Sequence, residues 1–273
     1  MSGGATRTTA LAVGPAGAER AGRSLAREVP VALSFDGTTH AVMLASPGDL
    51  EDFALGFSLS EGIVTAPGQI ERIEWVDHPE GIELRIWLAV GLGARLLERR
   101  RAMAGPVGCG LCGIDSLKEA TRPLPTLPPG GVRLAEGDIA RAITALALAQ
   151  PLHAETRAMH AAGFWTPGEG LVFAREDVGR HNALDKLLGA LARAGRDASG
   201  GAIVMTSRVS IELVQKAVLA RAPILIAVSA PTDRAAAAAE AAGLTLIARA
   251  RGAGFDIHTH PDRIALTEVP HDA

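Results

Sequence analysis

The two cysteines of this 273-residue chain, Cys109 and Cys112, are three positions apart and bracket Gly110 and Leu111. In a chain without further cysteines, a CxxC pair is more typical of metal, redox or sulfur chemistry than of a structural disulfide. A disulfide that closes so small a ring would add little stability. This loop is therefore the first candidate for the functional site.

The surroundings of the pair favour the thiolate, the form of cysteine that acts as a nucleophile or carries sulfur. Arg99, Arg100 and Arg101 precede the loop. A helix predicted from Ile114 onwards would place Cys112 near the positive end of its dipole. Glycines around the thiols exclude bulky side chains and predict a mobile loop. Mobility suits a sulfur atom that passes from a donor protein to a bound acceptor.

Three other interpretations of the pair have weaker support. Two buried, inert cysteines would not need glycine-rich flanks. A structural zinc site needs four ligands, and His153, His160 and His181 lack a close finger-type spacing. A thioredoxin-like redox pair normally caps the first helix of a βαβ unit near the N-terminus, whereas this pair lies in mid-chain.

A zinc-dependent deaminase is the alternative function with most support. His78 and Glu80, followed at Cys109 by CxxC, have the H-x-E…C-x-x-C order of nucleobase deaminases. That mechanism needs the His and the Glu on a helix facing the metal. Residues 77–81, however, lie between two alternating patterns and predict a turn. Gly108 also stands where the deaminase signature has Pro.

Composition disfavours nucleic-acid and membrane partners. The net charge is −3, so no global positive field attracts the chain to nucleic acid or anionic lipid. Three Trp, six Phe and no Tyr leave few platforms for stacking bases. No apolar run reaches the roughly 18 residues that cross a bilayer, and residues 1–22 lack a signal-peptide core. We expect a cytoplasmic protein without nucleic-acid or membrane partners.

Hydrophobic patterning predicts an α/β protein whose two halves differ in the order of their helices and strands. The first half contains a hairpin over 29–44, a helix capped by Ser46 and a strand pair over 73–88. In the second half, helices over 135–149, 181–194, 209–220 and 232–242 alternate with strands at 171–174, 202–206, 224–229 and 244–248. Continuous apolar strands predict a three-layer α/β/α domain with a largely parallel sheet.

The composition shifts divide the chain into four segments. Residues 1–27 are predicted to be a disordered tail. Residues 28–121 form a smaller, mixed α+β N-terminal domain that ends in the CxxC loop. Residues 122–134 are a Pro-rich linker, and residues 135–273 form the C-terminal α/β/α domain.

Polar residues gather where predicted strands end and helices begin, which is where α/β sheets bind ligands. Residues 206–208 and 229–232 lie at such points, although helix capping explains them equally well. Asp177, Arg180 and His181 follow another strand. Their simplest roles are N-capping of the helix over 181–194 and a surface salt bridge, and a functional role is the alternative, which the family resemblance described below favours. His160 is a weaker candidate.

Residues 108–113 resemble the hallmark of the FdhD family of formate dehydrogenase accessory sulfurtransferases. Further blocks appear in the family's order, and the likeness spans residues 28–264. These blocks are EVPVAL at 28–33, DFALGFSLSEG at 52–62, ERRR at 98–101, EDVGRHNALDK at 176–186, TSR at 206–208 and ELVQK at 212–216.

The resemblance implies a function, a fold and partners. Such sulfurtransferases accept a persulfide from a cysteine desulfurase and pass the sulfur to the molybdenum or tungsten bis-guanine-dinucleotide cofactor of formate dehydrogenase. Cys109 would carry the persulfide, and Cys112 would assist its release or resolve it. The second domain would have a cytidine-deaminase-like fold, and the protein would be a homodimer without a permanent metal. A non-catalytic cofactor chaperone remains a further alternative.

The resemblance also implies a cofactor-binding segment formed by Arg249, Ala250, Arg251, Gly252, Ala253 and Gly254. The sequence departs from the family here, because an aromatic residue is common at 249, a basic residue at 254 and Tyr at 258. A guanidinium can still stack on guanine. Since the implied ligand carries pyrophosphates, Ser207 and Arg208 are added as contacts.

Overall fold

The computed structural model describes residues 3–15, 17–92 and 123–266. The principal strands are β1 (Ala5–Gly14), β2 (Gly17–Ala26), β3 (Val29–Phe35), β4 (Thr38–Ala45), β5 (Ile70–His78), β6 (Gly81–Leu88), β7 (Leu134–Ala135), β8 (His160–Thr166), β9 (Gly170–Asp177), β10 (Ala202–Met205), β11 (Ile224–Ala227), β12 (Thr245–Arg251), β13 (Gly254–Thr259) and β14 (Ile264–Ala265). The α-helices are α1 (Leu50–Ser60), α2 (Glu136–Leu148), α3 (Pro151–Thr156), α4 (Arg180–Arg193), α5 (Ile211–Leu219) and α6 (Asp233–Ala242).

The first half of the chain forms a four-stranded sheet in the order β4-β3-β6-β5. The predicted hairpin is confirmed, because Asp36 and Gly37 form its turn at φ 47° and 76°. Helix α1 covers one face of the sheet and buries Phe53 and Phe57 in a core shared with the strands. This half is the mixed α+β unit that the patterning predicts.

The second half forms a six-stranded sheet in the order β13-β12-β11-β10-β8-β9. The expectation of a largely parallel sheet is wrong. Strand β10 pairs parallel with β11, and β11 with β12, but the pairs β8–β10, β8–β9 and β12–β13 are antiparallel. Strand β8, which the sequence patterning missed, inserts between β10 and β9 and accounts for two of these antiparallel pairs, and β13 adds the third.

The expected three layers are confirmed. Helices α4, α5 and α6 pack on one face of the six-stranded sheet, and α2 packs on the other. Every residue of β10 and β11 is buried, as continuous apolar strands covered on both faces require. Residues 123–133, within the predicted linker, contain neither helix nor strand.

The prediction of a disordered tail over residues 1–27 is wrong. Strands β1 and β2 form an antiparallel ribbon whose register runs from Ala5↔Ala26 to Gly14↔Gly17. Hydrogen bonds between the two strands satisfy their backbone N–H and C=O groups. The low hydrophobicity of this segment does not reveal that source of order. At the base of the ribbon, Gly4 lies against Leu152 of α3.

No helix in the described ranges has the length and apolarity that a membrane span requires.

Two buried lysines join the halves of the molecule. Lys186 Nζ lies 2.7 Å from Asp177 Oδ2, with both side chains fully buried, and donates to the carbonyl oxygen of Ser46 at 2.9 Å. Lys216 Nζ lies 2.8 Å from Asp185 Oδ1 and 2.9 Å from Ser60 Oγ. Each lysine therefore binds a carboxylate of the second half and an oxygen of the first half.

Ser46 is not the N-cap that the sequence predicts. Helix α1 begins at Leu50, and Asp49 is its N-cap in the left-handed region. Ser46 instead donates its N–H to Asp177 Oδ2 at 2.9 Å, and its hydroxyl accepts from the N–H of Val178 at 3.2 Å. Ser46 therefore binds Asp177, which is 131 residues away in sequence, instead of capping α1.

Helices α1 and α4 cross in backbone contact. A Cβ at Gly56 of α1 would overlap the carbonyl oxygen of Asp185, and a Cβ at Gly189 of α4 would overlap that of Asp52. Side chains at these positions would push the helices apart. The crossing therefore requires glycine at both.

We expect Gly56→Ala and Gly189→Ala each to lower the free energy of unfolding by at least about 2 kcal/mol, because overpacking forces the two backbones apart. Denaturant-induced unfolding measures the change. Gly48→Ala is the matched control, since a Cβ there meets nothing within 4 Å. Equal stability of the three variants would contradict the tight crossing.

Candidate functional site

The predicted thiol site lies outside the described residues. Cys109, Cys112 and the arginines at 99–101 fall in residues 93–122, of which the structure gives no account. The candidate site within the described chain is the carboxyl edge of strands β10, β11 and β12.

The segments that follow these strands run side by side. The N–H of Val209 donates to the carbonyl of Ala230 at 3.2 Å, and the N–H of Thr232 donates to the carbonyl of Val209 at 2.9 Å. The N–H of Arg249 donates to the carbonyl of Ser229 at 3.2 Å. The structure thus brings residues 206–210, 228–232 and the start of 249–254 together on one edge.

Ser207 and Arg208 have different surroundings at this edge. Ser207 is buried, and its hydroxyl donates to the carbonyl oxygen of Arg208 at 3.0 Å. The side chain of Arg208 is exposed. Arg208 can therefore meet a ligand directly, whereas Ser207 shapes the turn.

The predicted segment 249–254 is the connection between β12 and β13. Arg249 has a positive φ of 52° at a shift of register between Ala248 and Arg251. The distortion turns its guanidinium outward, where it lies 3.1 Å from Asp256 Oδ2. Ala250 is 1% exposed and packs in the core, so its side chain is not a ligand contact. Residues 251–254 are exposed.

Asp177 has neither of the simple roles considered from sequence. It is fully buried, and the N-cap of α4 is Gly179. Its carboxylate accepts from the N–H of Gly179 at 2.8 Å and from Asn182 Nδ2 at 3.0 Å, and it pairs with Lys186. The expected surface salt bridge is a buried one that anchors the start of α4.

His181 stands in the first turn of α4 as a neutral imidazole. Its Nε2 lies 3.4 Å from Ser210 Oγ and 4.0 Å from Glu212 Oε2. Burial, together with the charges of Arg180 and Lys216, lowers the pKa of His181 to about 3. The ring therefore offers hydrogen bonds without charge at neutral pH.

Arg180 and His160 complete the group around His181. Burial and the charge of Arg180 lower the pKa of His160. Arg180 Nε is buried and has no hydrogen-bond partner within the described chain. A guanidinium with a buried, unpartnered donor beside a neutral imidazole suits an anionic oxygen ligand such as a phosphate.

The residues of the deaminase alternative do not have the geometry that its mechanism needs. His78 is the last residue of β5, and Glu80 lies in the turn before β6. Both are exposed, and the predicted turn is confirmed. Within the described ranges, no group of three or more His, Cys, Asp or Glu is placed to hold a metal.

A cavity of about 740 Å³ lies elsewhere, between α1, the β5–β6 turn and the start of β3. Its ionisable lining has five carboxylates, three guanidiniums and one imidazole: Asp49, Glu51, Asp52, Asp77, Glu80, Arg27, Arg175, Arg193 and His78. The excess of carboxylates makes it a poor site for an anion. The strand edge, where Arg208 and Arg249 lie, suits an anion better.

Sequence reasoning missed the buried network around Lys216. Burial opposes the charge of this lysine, but the carboxylates of Asp185 and Glu61 outweigh it and raise the pKa of Lys216. A signal was present in the sequence, because Asp185 lies between Leu184 and Leu187 in an amphipathic helix. A charge at such a position needs a buried partner.

Comparison with known proteins assigns the family. The FdhD/NarQ family model matches residues 26–265 of this chain. The chain belongs to the FdhD/NarQ family. The FdhD resemblance predicted from the motif blocks is thereby confirmed.

Relatives in the FdhD/NarQ family match nearly the whole chain. Sulfur carrier protein FdhD of Agrobacterium fabrum is 51% identical over 259 residues, which are 94% of each chain. The protein of the same name from Brucella abortus is 54% identical over 248 residues, which are 91% of this chain and 92% of the relative.

A solved structure shares the fold of this chain. It is the crystal structure of a candidate formate dehydrogenase accessory protein from Desulfotalea psychrophila. Its TM-score is 0.76 at 24% identity, and the match covers 96% of this chain and 99% of that one. The likeness supports the α/β architecture described above.

We expect acid to destabilise the protein through His181. Because its pKa is lowered to about 3 in the folded state, the unfolded chain binds the extra proton below the ordinary histidine pKa. The stability this provides is present above pH 6.5 and lost as the pH falls. His181→Gln should reduce the loss of unfolding free energy between pH 7 and pH 5 by about 2 kcal/mol.

Denaturant titrations at the two pH values measure this difference. His258→Gln, on the exposed face of β13, should keep the pH dependence of the unchanged protein. If His181→Gln also keeps it, the imidazole is not held neutral by the fold.

Proposed function

We propose that this FdhD/NarQ member is a sulfur carrier with sulfurtransferase activity. It accepts a persulfide from a cysteine desulfurase and delivers sulfur to the molybdenum or tungsten bis-guanine-dinucleotide cofactor that formate dehydrogenase requires. Two observations support the proposal. Relatives named sulfur carriers match more than nine-tenths of the chain, and its cysteines are confined to one CxxC pair.

Cys109 performs the first step of the proposed transfer. Its thiolate attacks the terminal sulfur of the donor's persulfide, so that a new S–S bond forms at Cys109 while the donor's S–S bond breaks. The donor cysteine leaves as a thiolate. The arginines at 99–101 favour the thiolate and the persulfide anion by their charge.

Cys112 performs the release. Its thiolate attacks the Cys109 sulfur of the persulfide, which forms a Cys109–Cys112 disulfide and expels the outer sulfur as hydrosulfide for the acceptor. The sulfur leaves with the electron pair of the broken bond. A cellular thiol then reduces the disulfide and restores the carrier.

The acceptor is a substrate whose guanine-dinucleotide arms bind at the strand edge. Arg208 and Arg180 can pair with pyrophosphate oxygens, and the neutral ring of His181 can accept or donate a hydrogen bond. Arg249 can stack on guanine. Backbone hydrogen bonds join the segments of Arg208 and Arg249 through residues 229–232, and His181 Nε2 lies 3.4 Å from Ser210 Oγ. These contacts support the assignment.

The proposed partners follow from this chemistry. A cysteine desulfurase supplies the persulfide, and formate dehydrogenase receives the sulfurated cofactor. The reaction is proposed to take place in the cytoplasm. Neither nucleic acid nor a membrane has a role in it.

Incubation with a desulfurase and cysteine should add one sulfur atom to the protein at Cys109, because only this thiol is proposed to receive it. Intact-mass spectrometry with peptide mapping detects the addition. Cys109→Ala should abolish the addition and the activation of formate dehydrogenase. Cys112→Ala is the matched control, and it should still accept sulfur but release it slowly.

Two outcomes would contradict this assignment. Sulfur retained by Cys109→Ala would place the carrier elsewhere. Unchanged formate dehydrogenase activation by a double cysteine variant would instead identify a non-catalytic cofactor chaperone.

Arg208→Ala should weaken binding of guanosine diphosphate, a probe for one arm of the acceptor, on the order of tenfold, since a charge-assisted hydrogen bond is lost. Calorimetric titration measures the affinity. Arg196→Ala removes the same charge from an exposed residue just beyond the far end of α4 and should leave it unchanged. Equal effects of both changes would mean that only net charge matters.

A further inference from the structure

One edge of the ribbon formed by β1 and β2 is not protected against pairing with a further strand. Residues 8–13 of β1 carry no charge, and β1 pairs with β2 in one unbroken register. Leu11 and Val13 are 67% and 77% exposed. Strand β2, in contrast, has three charged residues over 19–23. Because charged side chains and bulges are the usual means of blocking an edge strand, the β1 edge is the open one.

A third strand would supply stability that the ribbon lacks. An isolated two-stranded hairpin is marginal in water, and three or more strands or a packed face are needed for stability. Among the residues that the structure describes, the ribbon is a sheet of two strands only. Addition of a partner's extended segment to such an edge is a recurrent mode of protein recognition.

The base of the ribbon lies beside the candidate site. The residue that precedes β1 lies against Leu152 of α3, and the N–H of Leu152 donates to Glu176 Oε2 at 2.9 Å. The next residue of β9, Asp177, pairs with His160 of β8, and His160 belongs to the group around His181. A protein bound along the ribbon would therefore stand next to the site proposed for the acceptor.

The ribbon is a positively charged arm on a negatively charged protein. Three arginines and one glutamate give residues 5–26 a net charge of +2, whereas the whole chain carries −3 and the remainder therefore −5. Alternate residues share a face of a strand, so Arg7 is the only charged residue on the face of β1 that carries Leu11 and Val13. This edge suits a segment with apolar side chains and a carboxylate.

We propose that an extended segment of formate dehydrogenase adds to the ribbon as a third strand along β1. This inference rests on the proposed function, in which that enzyme receives the sulfurated cofactor. The added strand places apolar side chains beside Leu11 and Val13 and a carboxylate beside Arg7. Backbone hydrogen bonds provide the affinity, and these side chains fix the register. The ribbon thereby holds the receiving enzyme beside the acceptor site.

Lysines on the β1 edge of the full-length protein test the pairing. Thr9→Lys and Leu11→Lys each put a charge beside the added strand and should weaken binding of purified formate dehydrogenase on the order of tenfold. Biolayer interferometry measures the dissociation constant. Ala18→Lys is the matched control, because it adds the same charge to β2, opposite Val13, and should leave the dissociation constant unchanged.

Charge reversal tests the carboxylate of the partner. Arg7→Glu should weaken binding of formate dehydrogenase on the order of tenfold, because like charges then stand side by side. Arg23→Glu makes the same change of charge on β2 and should have no effect. Equal effects of the two reversals would overturn the proposal, since only the net charge of the ribbon would then matter.

Sulfur loading separates this proposal from the function on which it rests. The lysine variants should accept sulfur from the desulfurase as the unchanged protein does. Formate dehydrogenase bound equally well by all variants, or not bound by the unchanged protein at tens of micromolar, would overturn the role of the ribbon. Weaker binding of the desulfurase instead would also overturn it. An unchanged protein that accepts no sulfur would contradict the proposed function, and the binding constants would still decide the role of the ribbon.

Hydrogen–deuterium exchange of the unchanged protein tests the same edge without a substitution. Alternate N–H groups of an edge strand point away from its neighbour, so those of β1 should exchange fast in the protein alone. Formate dehydrogenase should slow exchange in residues 7–13 and leave residues 18–24 unchanged. Slow exchange of all N–H groups in residues 7–13 without the enzyme would overturn the proposal, because this chain or a second copy would already cover the edge.

Discussion

The crossing of α1 and α4 is the constraint on which the rest of the structure depends. Glycine on both helices brings the backbones together at Gly56 and Gly189. Removing Lys186 and Lys216 from water is costly unless each ammonium finds a carboxylate and further oxygens. Those oxygens come from both halves of the chain, so the halves must dock for the charges to be satisfied. Helix α4 also carries His181 in its first turn. The docking of the two halves therefore fixes the position of His181 in the candidate site.

The sequence predicted those elements whose structure depends on residues close to one another in the chain. The Asp36-Gly37 turn and the amphipathic helices of the second half follow from residues close in sequence. Strand β8 was missed because its HAAGFWT stretch has small residues and no alternation, and its place between β10 and β9 depends on tertiary pairing. The sequence also did not reveal the role of Asp177, because its buried ion pair with Lys186 exists only once α4 has formed.

The candidate site was predictable in place but not in detail. Strand ends followed by helices indicated residues 206–208 and 229–232, and the structure brings them to one edge. Sequence could not show that Ala250 points into the core or that His181 is neutral, since both depend on burial. The proposed thiol chemistry, in contrast, was inferred from Cys109 and Cys112 in the sequence, and both lie outside the described residues.

Hydrogen–deuterium exchange of the full-length protein with and without guanosine diphosphate tests the proposal that the acceptor binds at the carboxyl edge of strands β10, β11 and β12. The account predicts slower exchange in residues 180–184, 206–210, 228–232 and 249–254, with no change where α1 and α4 cross. Slower exchange confined to the cavity beside the β5–β6 turn would contradict it, because the ligand would then bind the acidic face of the first half.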